Sequence, residues 1–181
     1  MKGRVRDLPE FRASLNVGIV KEESLDLNGD DNIDHVVYTN GGEETYLSVL
    51  LANSEGFAVW HFPAAEDYQI VRTGKRYEII LKFDTFPLFG SLYGSDQHQW
   101  FDYYEIDQDS VILANSKHKS FFQSQRKLYR ARLLELKERQ RQMEQSKSDD
   151  DLALLEYDRI KALIERYTEW IQKTVAIVNA K

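Results

Sequence analysis

The 181-residue chain predicts an α+β fold, an N-terminal antiparallel β domain followed by a long C-terminal antiparallel helical hairpin. Three observations predict it. Short runs rich in Val, Tyr, Phe and Trp, parted by turn-forming clusters, fill the chain as far as "VILAN". From Ser116 onward the apolar spacing changes to alternating steps of four and three. The charge reverses at the same place: residues 1–116 hold 9 Lys/Arg against 20 Asp/Glu, and residues 117–147 hold 10 against 3. The expected division is therefore a β-rich domain over 1–116 and a coiled-coil-like hairpin over 117–181.

Each element has its own warrant. The latter half of "LPEFRASLNVGIV" reads as an opening strand. "HVVYT", "YLSVLL" and "FAVWHF" follow as strands, separated by "NGGEE" and "ANSEG". "YQIVR", a turn at "TGK" and "RYEIILKF" make a hairpin; "WFDYYEI", "DQDS" and "VILAN" make another. Strands at this spacing build one antiparallel sheet or a small sandwich. Residues 84–99, "DTFPLFGSLYGSDQHQ", form a long Gly- and aromatic-rich loop of the kind that is often functional.

In the last segment Ala153, Tyr157, Ile160, Ile164, Tyr167, Ile171, Thr174 and Val178 form a heptad seam. Leu152, Leu155, Leu163, Trp170 and Val175 widen it, so this helix is expected to touch more than its neighbour. The preceding segment offers Tyr129, Leu133, Leu136, Gln140 and Met143 at the same spacing, led by Phe121 and Phe122. Between the two lies "QSKSDDD", where Ser148 or Asp149 can cap the second helix. Each arm spans about thirty residues, roughly 45 Å.

Composition excludes several classes. No cysteine is present, which removes disulfide frameworks, thiolate metal sites and cysteine nucleophiles. No run approaches the roughly 18 apolar residues of a membrane span. "MKGRVRDLPEF" lacks the apolar stretch of a signal peptide. Gly-rich phosphate loops and a nucleophile elbow are also missing, and His35, His61 and His118 stand at no metal-ligand spacing.

The densest chemistry lies in "DLNGDDNID", residues 26–34. Like charges crowded into one turn repel unless a cation converts the repulsion into coordination. Calcium takes six to eight oxygen ligands, and alternate loop positions supply them. Asp26, Asn28, Asp30 and Asp34 fall at positions one, three, five and nine, and Asn32, at position seven, would offer its backbone carbonyl. The loop is not an EF-hand: Asp31 stands where glycine is expected, Val37 replaces the terminal Glu, and a strand follows instead of a helix.

With the strands behind it, "DLNGDDNIDHVVYTNGGEETYLSVLLANSEGFAVWHF" resembles one FG-GAP or VCBS-type calcium-loop repeat, the unit of integrin-like propellers and many bacterial surface proteins. The resemblance covers residues 26–62 in a single copy, so it does not imply a propeller. It implies a Ca2+ site at Asp26, Asn28, Asp30, Asn32 and Asp34, with Gly56–Phe57 at the place of the repeat's name motif. A lone loop without a terminal Glu suits an affinity on the order of 10⁻⁴ to 10⁻³ M, filled outside cells and empty in the cytosol. The expected function is a non-catalytic, extracytoplasmic (periplasmic, cell-surface or secreted) module for protein binding or assembly. The hairpin would serve self-association or another protein.

Two alternatives carry other chemistry. The loop 84–104 gathers Tyr93, Asp96, His98, Trp100, Asp102, Tyr103 and Tyr104, which could stack a carbohydrate or pair His98 with Asp96 or Asp102 for hydrolysis. The basic segment 117–147, with Lys117, Lys119, Arg126, Lys127, Arg130 and Arg132, could meet a nucleic acid or an anionic surface.

Overall fold

A computed structural model describes residues 18–40, 45–63, 67–74, 76–83, 98–146 and 151–180. It holds two four-stranded antiparallel sheets followed by a helix pair, an α+β fold. The strands are β1 (Gly18–Leu25), β2 (Asp34–Asn40), β3 (Thr45–Asn53), β4 (Gly56–Pro63), β5 (Asp67–Thr73), β6 (Arg76–Phe83), β7 (Trp100–Asp107) and β8 (Ser110–Leu113). A 3-10 turn, Asn115–His118, leads into α1 (Lys119–Ser146), and α2 (Asp151–Asn179) returns beside it. No helix among the described residues is long and apolar enough to cross a membrane.

The sheets follow sequence order, β1-β2-β3-β4 and β5-β6-β7-β8. They meet face to face, the sandwich outcome of the two sequence expectations. Period-two alternation decides which side chains enter the shared core. Val36 from β2 and Leu47, Val49 and Leu51 from β3 join Tyr68, Ile79, Leu81 and Ile106 from the second sheet. Intervening residues take the other face of the first sheet, where Val37 and Leu50 are buried against Ile19, Phe57 and Val59.

β1 extends further than the sequence suggests, through the polar stretch "KEESL". Its backbone pairs with β2 from Gly18↔Asn40 to Leu25↔Asp34, with a register shift between Ile19 and Lys21. An edge strand can be polar because one face and one edge meet solvent. Lys21 also lies over the Tyr68 ring, 4.4 Å from its centroid, while holding Glu23 at 2.7 Å. The first half of "LPEFRASLNVGIV", the proposed caps Ser148 and Asp149, and residues 84–97 of the long loop lie outside the described residues.

The chain divides into two compact units. One contains the strands through Phe83 together with Phe101–Leu113. The other contains the segment ending at Trp100 and the helices from Ala114 onward. Within this second unit Tyr129, Leu136, Ile160, Leu163, Tyr167 and Trp170 are buried along the helix pair. Gln140 donates to the Tyr157 hydroxyl at 3.2 Å, and that hydroxyl donates to Glu144 at 2.9 Å. Arg139 meets Glu156 at 2.9 Å, so polar pairs fix the register as well. Two residues expected to widen the seam do not: Leu152 is 73% exposed and Leu155 51%. Both lie in the first turns of α2, where α1 is ending.

Candidate metal-binding loop

Residues 26–33 connect β1 to β2, and the Leu25↔Asp34 pair closes the loop at its base. Its one early apolar residue, Leu27, is fully buried in the inter-sheet core and anchors the turn. Around that anchor the acidic side chains fold back on the backbone. Asp26 Oδ1 accepts from the amides of Gly29 at 2.8 Å and Asp30 at 3.1 Å, and its Oδ2 accepts from Asp31 at 3.1 Å. Asn28 Oδ1 accepts from the Asp30 amide at 3.2 Å. Asp30 accepts from the Asn32 backbone and side-chain nitrogens at 2.9 and 3.1 Å. These bonds from Asn32 hold the Asp30 carboxyl below its ordinary range.

This winding needs two left-handed residues, Gly29 at φ 81° and Asp31 at φ 66°. Glycine reaches that region without strain; Asp does so more readily than most side chains. Asp31 occupies loop position six, where a calcium loop ordinarily turns on glycine.

Asp34 sits apart from the others in environment. It is fully buried, with Oδ2 accepting from Leu27 N at 2.8 Å and Oδ1 from Ala52 N at 2.7 Å. One carboxylate thus ties the loop, the start of β2 and the end of β3. Burial pushes its carboxyl above the usual range, and the charge of Asp30 adds to the push against those amide bonds. Asn28 fastens the loop to the second sheet, its Nδ2 donating to the Gln108 carbonyl at 2.9 Å in the β7–β8 turn.

The structure therefore gathers Asp26, Asn28, Asp30 and Asn32 into one turn and buries Asp34 at its base. The donors are all oxygen, which suits calcium in type. In the arrangement described, the carboxylates are turned onto amides. No group of three or more His, Cys, Asp or Glu among the described residues is arranged to hold a metal ion. Sequence reasoning missed Ala52 and Gln108, long-range partners that no local pattern marks. Leu27 was findable as the lone apolar residue between Asp26 and Asn28.

The other candidates sit in different surroundings. Tyr93 and Asp96 lie outside the described residues. Trp100 is 5% exposed and packs on Phe122, Tyr129 and Trp170, so it offers no open face for a sugar ring. His98 packs edge-on against Tyr129 and Tyr167. Asp102, Tyr103 and Tyr104 belong to β7 in the first unit, where Tyr103 is buried and Tyr104 packs on Phe62 at 4.7 Å. On α1, Arg132 pairs with Glu135 and Arg141 with Glu138, and Lys119 donates to the Ala180 carbonyl. No family model, curated protein or solved structure matches this chain.

Proposed function

We propose that the chain is a non-catalytic calcium-binding module, related to the FG-GAP and VCBS-type repeats, that works outside the cytoplasm in protein binding or assembly. Asp26, Asn28 and Asp30 would give side-chain oxygens, Asn32 its carbonyl, and Asp34 the closing carboxylate. The observation that carries this reading is the left-handed Asp31 at loop position six, preceded by amides folded onto Asp26. The elements behind the loop support it: strands β2 and β3 lead to Gly56–Phe57 at the start of β4. Calcium's part would be structural, tightening the corner where Asp34 holds Leu27 and Ala52 and where Asn28 reaches Gln108. Affinity in the range suited to a lone loop favours a calcium-rich compartment.

A second reading is favoured by Asp34, whose two oxygens are both taken by backbone amides, Leu27 in the loop and Ala52 in β3. On that reading the acids cap the turn's own amides and the loop needs no ion. Thermal melting with excess calcium, magnesium or chelator separates the two. The calcium reading expects a higher midpoint with calcium than with magnesium, because ligand binding to the folded state alone adds stability. An unchanged midpoint, with Asp30→Ala behaving as the parent does, would leave the metal-free turn.

A further inference from the structure

Helix α1 carries its basic residues in two distinct settings. Arg132, Arg139 and Arg141 are each engaged with a glutamate. Arg126, Lys127, Arg130 and Lys137 make no ion pair among the described residues. Lys127, Arg130 and Lys137 are exposed and Arg126 is half-buried. Positions 126, 130 and 137 are four and seven residues apart, so they share one flank of the helix over roughly 16 Å. This flank lies beside the one that buries Phe122, Tyr129 and Leu136. Leu134, 70% exposed, interrupts the row between Arg130 and Lys137.

A row of cations with no ion pair among the described residues invites an anion, and the chain's own composition points to one. The whole protein carries −6, and residues 1–116 carry a net −11 from their 9 basic and 20 acidic residues. That composition puts the complement of the row on the chain itself, in its acidic first 116 residues. On the sheet unit Asp30, Asp31 and Asp109 are exposed and make no ion pair among the described residues. The Asn28–Gln108 bond holds their two turns together.

We propose that the Arg126–Lys137 flank of α1 docks on the acidic sheet unit of a second copy of this chain. The contact is head-to-tail, since each copy offers one basic and one acidic surface. It rests on the reading of the hairpin as a contact element and requires no calcium at the loop. Attraction of this kind weakens as the Debye length shortens, from about 10 Å at 0.1 M salt to about 3 Å at 1 M.

The test is sedimentation velocity on the full chain, in chelator, at about 50 mM and about 1 M salt. The parent chain should associate with rising concentration at low salt and return to a single-chain mass at high salt. The variant Arg126→Gln/Arg130→Gln/Lys137→Gln, with unchanged helical circular dichroism, should stay single under both conditions. Glutamine keeps helix propensity, so loss of association would not reflect loss of the helix. A single-chain mass for the parent at low salt would overturn the proposal, as would assembly indifferent to salt or to the three substitutions. Capture of the parent by DNA or by anionic vesicles in place of self-association would overturn it too, and would assign the flank to a polyanion. The calcium melting shift is a separate readout, so failure here leaves that reading standing.

Discussion

Asp34 concentrates the local energetics of the sheet unit. Removing its side chain strands two amides, the buried Leu27 N and the part-buried Ala52 N, at a cost of about 1–3 kcal/mol for each that water does not reach. We therefore expect Asp34→Ala to lower unfolding stability by on the order of 3 kcal/mol in denaturant titration. Its pH behaviour has an unusual sign for an aspartate. Because the folded state raises this carboxyl, the folded chain holds the proton more tightly than the unfolded one. The stability it contributes is full below the ordinary aspartate value and is lost as pH climbs through the raised value. Carbon NMR of the Asp34 carboxyl in chelator should give a midpoint above the ordinary aspartate range; a midpoint below it would refute this account. Glu23 runs the other way, held low chiefly by its bond from Lys21, so its contribution disappears as pH falls through that lowered value. Asp31 supplies a further test at this scale. Glycine there should be tolerated or stabilise by a few tenths of a kcal/mol, while valine should cost about 1–2 kcal/mol because a branched side chain is strained at positive φ. Equal stabilities for the two variants would show that the loop does not depend on that turn.

Among the elements, legibility followed the strength of local periodicity. The seven runs from "HVVYT" to "VILAN" became β2 through β8, because each is rich in β-branched, aromatic or other apolar residues and is flanked in the sequence by turn-forming residues. β1 was legible only at its beginning, since its polar half is specified by pairing with β2 and not by its own pattern. The helix seam was readable at Ile160, Tyr167 and Thr174, where a partner helix lies alongside. The widening of the seam expected at Leu152 and Leu155 is not seen, since both are exposed. Trp100, one candidate stacking residue of the alternative reading, could not be placed from the sequence: aromatic residues beside glycines look like a binding loop, and only tertiary contact puts it among Phe122, Tyr129 and Trp170. That placement has a measurable cost. Trp170→Ala should destabilise the helix pair by about 3–5 kcal/mol, the range for deleting a buried large aromatic. A loss below about 1 kcal/mol, within the range of surface substitutions, would mean the cluster is not a core.

At the scale of the whole molecule, the candidate site was legible as composition but not as geometry. Nine residues announced crowded charge; they could not announce that Asp34 would be buried or that Asn28 would reach Gln108, 80 residues away in the chain. Those two links determine how far a bound ion could be felt. An ion on Asp26 and Asp30 would stiffen the turn, and stiffening would pass through Leu27 and Asp34 to β2 and Ala52, and through Asn28 to the β7–β8 turn. All of these residues belong to the sheet unit, while α1 and α2 form the other. Hydrogen exchange with and without calcium should therefore slow amides at Leu27, at 29–32, at Ala52 and beside Gln108, leaving the helix amides near Tyr129 and Tyr167 unchanged. Local opening sets exchange in such regions, so the effect is readable without unfolding the chain. Protection spread evenly over both units would contradict a corner clamp and point to an ion that acts elsewhere. Protection confined to residues 26–34, with Ala52 and Gln108 unmoved, would mean the hydrogen bonds from Asp34 and Asn28 transmit nothing.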